Sequence, residues 1–250
     1  MKIYLAGFEL LKNLYKSDMT NIQLLSSFWE QKNKKGIEEY IFKSDTIIDS
    51  GAYSTFGNIN AAKKYDWFTY AKEYARFIKL SGKKLYFELD IDLAVGLKTV
   101  EDLRKTIEDI TGIQSIQVWH KNRGWDYFLR MCEESKYVAI GCTNANAEGS
   151  LLRSNHKLID KFIKTAHSKN VKIHGLGFTD TKSLYNLKFD SVDSTTWIGG
   201  GKYGTLYLFD GRKINTIKKK QKTIFKSYKE INLFNFNEWL KFQKYAEKNL

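Results

Sequence analysis

The chain of 250 residues contains no proline, only two cysteines and only four histidines, and none of its apolar runs approaches the ~20 residues that span a bilayer. Each shortage removes a class of protein. Cys132 and Cys142 are too few for a disulfide framework or a four-cysteine zinc site, so both are expected as reduced, packed thiols. With no cysteine cluster and no His-Glu-x-x-His helix, no metal, zinc or other cofactor is expected. The segment Met1-Lys2-Ile3-Tyr4-Leu5 enters a strand-like pattern without a signal-peptide core, which predicts a cytoplasmic protein with no membrane partner.

Positive charge, by contrast, is abundant. Forty-one Lys and Arg against 28 Asp and Glu leave a net charge of +13 and a pI near 9.4, a balance that favours a polyanionic partner. A lysine-rich solvated surface from an A/T-biased genome accounts for the same charge and for the missing proline. The basic run from Arg212 to Lys229 has no carboxylate and carries Phe225 and Tyr228 among its cations. It reads either as a solvated tail or as a contact to a nucleic-acid backbone through Lys218, Lys219, Lys220 and Lys222.

Hydrophobic periodicity alternates between short β-rich runs and helical stretches. Strands are expected at residues 1–5, 46–50, 85–87, 115–119, 137–140, 171–176 and 189–194. Helices are expected at 7–16, 21–32, 65–80, 99–110, 124–134, 155–169, 180–187 and 236–249. Residues 205–209 are the candidate eighth strand, although Asp210-Gly211 before 213–217 also reads as a hairpin turn. This pattern and the chain length predict an α/β fold: a (β/α)8 TIM-type barrel with an irregular last unit and a C-terminal helix. An open doubly wound sheet is the alternative. A single domain is expected over 1–250, with the basic segment and helix of 212–250 packed on or beside the barrel.

Polar residues recur where the strands end. Asp49-Ser50-Gly51 follows Thr46-Ile47-Ile48, Glu88-Leu89-Asp90 follows Leu85-Tyr86-Phe87, Trp119-His120 follows Ile116-Gln117-Val118, and Asp193 closes the run from Phe189. Barrel enzymes collect their catalytic groups at that end. Taken singly, Asp-Ser-Gly and Gly141-Cys142-Thr143-Asn144 are ordinary turns, and His120 and His174 are ordinary packed histidines. Taken together, three carboxylates at one mouth repel one another and raise at least one pKa. Such a site suits a substrate rich in hydrogen-bond donors that passes through a cationic transition state. Asp193 and Asp49 form the pair that two-carboxylate glycosidic chemistry requires. Trp197 reads either as core or as a surface on which an extruded base stacks.

Asp49-Ser50-Gly51-Ala52-Tyr53-Ser54, Val138-Ala139-Ile140-Gly141 and Phe189 to Thr196 together resemble the tRNA-guanine transglycosylases, and most of all their shorter DNA-modifying relatives. The resemblance covers roughly residues 46–197, with the motifs in the family's order. It implies that Asp193 attacks the anomeric carbon as nucleophile and that Asp49 acts as general acid and base. It further implies that Asp90, Ser50, Gly51 and Gly141 contact the base, that Tyr53 and His174 cover its two faces, and that Glu148 and His120 are possible base contacts. The implied partners are DNA, or alternatively tRNA, and a free 7-deazaguanine such as 7-cyano-7-deazaguanine, with a possible helper protein opening the duplex. A bacterial or virus-infected cell would be the setting. The tRNA enzymes carry a structural zinc on three cysteines and a histidine; this chain has no such set, which turns the resemblance toward DNA. A non-catalytic nucleic-acid-binding barrel and a base-releasing N-glycoside hydrolase are the rival expectations.

Overall fold

The computed structural model describes residues 1–13, 15, 17–52, 65–142, 152–178, 180–199, 203–218 and 227–250. Seven strands form one parallel sheet: β1 (Lys2–Ala6), β2 (Gln23–Ser27), β3 (Asp45–Asp49), β4 (Gln117–Trp119), β5 (Tyr137–Gly141), β6 (Lys172–Leu176) and β7 (Ser191–Ser194). Their spatial order is β3-β2-β1-β7-β6-β5-β4. Neighbours follow chain order in one rotational sense, with β1 beside β7, so the sheet curls and lacks the reversal of a doubly wound fold. Residues near the expected third strand lie between the two edges. Ile48 and Tyr86, and Phe87 and Ile116, form isolated parallel bridges, and Ile48 N–H donates to the Leu85 carbonyl at 3.0 Å.

The two-residue period of a strand sorts its side chains into two apolar clusters. Tyr4, Ala6, Leu25, Ile47, Phe87, Val118 and Ala139 pack together in one. Ile3, Leu5, Leu24, Ile48, Val138, Ile140 and Val192 join the helices in the other. This sorting corrects the expected helix at 21–32. Leu24 and Leu25 are adjacent yet buried in different clusters, which a strand covered on both faces requires; residues 23–27 are β2, and only α1 (Phe28–Gln31) is helical.

Further helices among the described residues are α2 (Glu39–Lys43), α3 (Trp67–Ser81), α4 (Asp92–Val95), α5 (Leu97–Thr111), α6 (Gly124–Glu134), α7 (His156–Ser168) and α8 (Tyr228–Asn249). Helix α3 begins where the Asp66 carboxylate accepts the Thr69 N–H at 3.0 Å and stops at Gly82, whose φ of 67° is left-handed. The expected helices at 7–16 and 180–187 shrink to 3-10 turns at Phe8–Leu10 and Ser183–Tyr185. None of the described helices is long and apolar enough to cross a membrane.

Residues 205–209 do not join the main sheet. They form β8 (Thr205–Phe209), paired antiparallel with β9 (Ile214–Lys218) in a separate hairpin. The turn explains why: Gly211 has φ 98°, and Asp210 accepts the N–H groups of Arg212 and Lys213, each at 2.9 Å. Helix α8 ties this hairpin to the sheet. Asn235 and Glu238 accept the backbone N–H of Tyr207 and Phe209, each at 2.9 Å. Gln243 donates to the carbonyls of Ile3 at 2.6 Å and Gln23 at 2.8 Å and accepts the Gln23 N–H at 3.2 Å. One glutamine therefore bridges β1 and β2, which pair directly only at Leu5–Leu24 and Ala6–Leu25.

Candidate active site

All seven strands run the same way, so their carboxyl ends share one rim, where a cavity of about 260 Å³ opens. Asp49 from the end of β3, Asp90, His120, Gly141 from the end of β5 and Asp193 from β7 all line it. Five carboxylates line the cavity, Glu9 and Glu30 being the other two, and no Lys or Arg is among its described lining residues. Leu25, Leu176 and Ala6 supply apolar wall. The volume is at the small end of ligand pockets, a size for a heterocycle held among a few fixed polar groups.

Asp193 is 7% exposed. Its Oδ1 accepts the Gly177 N–H at 2.6 Å and contacts His174 Nε2 at 3.2 Å, while Oδ2 has no partner among the described residues. His174 is fully buried and continues a chain inward: its Nδ1 meets Ser191 Oγ, and Ser191 Oγ meets the Tyr137 hydroxyl. An ionised carboxylate only accepts. Where the carboxylate accepts, His174 Nε2 is the donor, and the donor order at Nδ1, Ser191 and Tyr137 follows the imidazole tautomer. The pairing of β6 with β7, which sets His174 opposite Ser191, creates this line.

Asp49 is held differently. Its Oδ2 accepts the Gly51 N–H at 3.0 Å. Burial, then the charge of Asp90 and more weakly that of Asp193, push its carboxyl up to about 7 against the opposing Gly51 amide. Gly51 itself is obligatory for packing: its φ is 70°, and a Cβ there would stand 2.2 Å from Ser27 Oγ and 2.7 Å from Trp29 Cβ. Across the cavity, His120 Nε2 lies 3.5 Å from Asp90 Oδ2. A Cβ on Gly141 would come within 3.1 Å of the His120 ring, so the glycine makes room for that imidazole.

The strand end carrying Asp90 is fixed from both sides by a buried ion network. Arg123, with no exposed side-chain surface, donates to Glu88 at 2.7 Å and to Asp92 at 2.8 Å. Glu88 also accepts from Arg104 at 3.1 Å and from the Val118 N–H at 2.8 Å. Asp90 sits between two anchored carboxylates, and His120 between Val118 and Arg123. Here the carboxyl of Asp92 is held below its usual range by Arg123 despite the opposing effect of burial.

Several expected site residues lie elsewhere. His174 is not at the cavity wall and cannot cover a face of the ligand as expected; it lies beneath Asp193, and Leu176, two residues on along the same face of β6, lines the cavity instead. Trp197 is fully buried, donates to the Ala6 carbonyl at 2.9 Å and packs on Phe236, so it belongs to the core. Ser50 and Gly51 are not among the lining residues; Ser50 is fully buried, its Oγ accepting the Ala52 N–H at 3.2 Å and its carbonyl the Tyr70 hydroxyl. Tyr53, Glu148, Lys219, Lys220 and Lys222 lie outside the described residues, and Lys218 is described only as the last residue of β9. Sequence reasoning missed Gly177, although a glycine directly after a β-rich run is the signal that singled out Gly51 and Gly141. It also missed Glu9, whose Oε1 accepts the Tyr40 hydroxyl at 2.7 Å.

Both cysteines are buried. Burial pushes the Cys132 thiol up to about 11 and raises that of Cys142 as well, so neither is a ready nucleophile. Among the described residues, no group of three or more His, Cys, Asp or Glu could hold a metal ion. Neither protein-family models nor curated proteins show a match to this chain.

Proposed function

We propose that the protein is a base-exchange transglycosylase that replaces guanine in DNA by a 7-deazaguanine through an aspartyl-sugar ester. The observation that carries this reading is the convergence of Asp49, Asp90 and Asp193 on one heterocycle-sized cavity that has no Lys or Arg among its described lining residues. In this reading the fold is an eight-fold β/α barrel, with the bridged residues Tyr86 and Phe87 occupying the eighth strand position.

Asp193 Oδ2 attacks the anomeric carbon while Gly177 and His174 hold Oδ1, and the bond to guanine breaks as the ester forms. Asp49, poised near neutrality, gives its proton to the departing base and takes one from the incoming base. The incoming nitrogen then bonds to the anomeric carbon and releases Asp193. Asp90 accepts from the donors of the base, and Leu25 and Leu176 bound the slot. The unneutralised carboxylates stabilise the oxocarbenium character of the transition state.

Incubation with labelled guanine and either DNA or tRNA tests the reading. Label entering DNA, together with a denaturation-stable protein–DNA adduct that Asp193→Asn abolishes, is the expected result. Label entering only tRNA would move the activity to that polymer, release of base without incorporation would make the protein a hydrolase, and absence of both would leave a binding barrel.

A further inference from the structure

A second and larger cavity, of about 670 Å³, lies beside the first and serves no step of the exchange chemistry. The two are adjacent along the chain: Thr195 lines the carboxylate cavity and Thr196 lines this one. Their electrostatic character is opposite. Arg153, His156 and Lys182 line the second cavity, and its single described carboxylate is Asp180. That carboxylate is already engaged, accepting the Lys182 N–H at 3.1 Å and the Ser183 hydroxyl. Lys182 is exposed and forms no ion pair among the described residues.

A further feature asks for an acceptor. The cavity meets the start of α7, where Asn155 caps the Leu158 N–H at 3.1 Å, while the amides of His156 and Lys157 precede the first intrahelical acceptor. Trp239 from α8 forms part of the wall. It is 2% exposed, and its indole N–H is buried with no hydrogen-bond partner among the described residues. The cationic side chains and the helix-start amides are donors, and phosphate oxygens are acceptors only.

We propose that this cavity is a phosphodiester-binding site that holds the nucleic-acid backbone next to the nucleotide reacting at Asp193. The identity of the reacting nucleotide rests on the exchange reading; the backbone contact does not. The β8–β9 hairpin gives the site its outer wall through Tyr207, Ile214 and Thr216, which assigns a task to the one sheet that stands apart from the main fold.

The test uses the full chain and fluorescent single-stranded DNA and RNA oligonucleotides of one sequence, with binding followed by anisotropy across a salt series. Replacing Arg153 and Lys182 together by Gln is expected to weaken binding about 10-fold and to flatten the slope of log K against log salt by about 1 to 1.5, as losing two phosphate contacts requires. The R153K/K182R pair is expected to keep the slope, which separates lost charge from lost packing. The DNA and RNA arms identify which backbone is held. An unchanged slope in the Gln pair, or no binding of either polymer by the wild-type chain, overturns the site. Guanine binding, read by calorimetry, is expected to be equal in wild type and the Gln pair. A flattened slope with no guanine binding in either would sink the exchange reading and keep the phosphodiester site, whereas exchange at wild-type rate with an unchanged slope would do the reverse.

Discussion

Glu88 and Asp90 lie two residues apart on one strand end, both buried, and their surroundings are opposite. Glu88 receives two arginines and a backbone amide. Asp90 faces a cavity with Asp49, Asp193, Glu9 and Glu30, where His120 is the lone described lining residue able to carry positive charge. A buried carboxylate that is fully paired holds structure, and breaking such a pair is costly even when forming it contributes little. Carboxylates gathered without cations raise each other's energy, and that arrangement is retained where a ligand supplies the missing donors. The comparison separates acids paired by arginine from an acid gathered with other carboxylates, all within five residues of chain.

The separation can be broken experimentally, and on the proposed function the largest effect belongs to the cavity acids. Asp193→Asn is expected to lower exchange by about 10⁴- to 10⁶-fold with little change in the denaturation midpoint, measured as label incorporation beside a urea titration. Activity within tenfold of wild type would remove Asp193 from the chemistry. On the scaffold side, Arg123→Met strands two buried carboxylates, and a loss of about 3 to 5 kcal/mol of stability is expected. A midpoint unchanged from wild type would show that the network holds nothing.

The third contrast is one of sign. A carboxyl raised to about 7 in the folded chain from 3.8 takes up a proton on folding between those values. Stability contributed by the neutral form is therefore present at low pH and lost as pH rises toward 7. Asp49→Asn avoids ionisation, so above pH 7 it is expected to be more stable than wild type by up to about 4 kcal/mol, and no more stable below pH 4, while exchange is lost. Urea titrations at pH 4 and pH 8 check this, and equal midpoints at pH 8 would contradict it. In wild type, the base-departure step is expected to slow as pH rises through about 7, since Asp49 must then be protonated to act. The smallest effect concerns the inward chain from Asp193. His174→Phe is expected to cut turnover about 10-fold, by analogy with other partners that orient a first-contact ligand, leaving guanine affinity intact, and His174→Gln is expected to restore part of it by donating again. Equal turnover in both variants would make His174 a packing residue alone.

The sequence displayed those features that follow from position along a single strand. Asp49, Asp90, His120, Gly141 and Asp193 each follow a β-rich run, so a parallel sheet brings them to one rim without further information. Features that depend on which strands are neighbours were hidden. His174 meets Asp193 because β6 lies beside β7, and its depth along the strand was misjudged: Leu176, two residues on along the same face, reaches the cavity instead. Arg123 gave no signal because its partners, Glu88 and Asp92, are 35 and 31 residues away. Residues 21–32 misled because Leu24, Leu25 and Phe28 satisfy a helical spacing as well as a doubly buried strand. The strand expected at 85–87 is reduced to single bridges at Tyr86 and Phe87, because a β-rich run of three residues sets a direction without fixing a ladder.

Gln243 carries a consequence for the timing of assembly. The first two strands of the sheet share few hydrogen bonds of their own, and the amide that joins Ile3 to Gln23 comes from a residue 220 positions downstream of Gln23. Contacts this remote in sequence form late, because the intervening chain must be ordered before they can close. Ala6 and Leu25, one on each of those strands, are wall residues of the carboxylate cavity. The wall that these two residues give the cavity therefore waits on the far end of the chain.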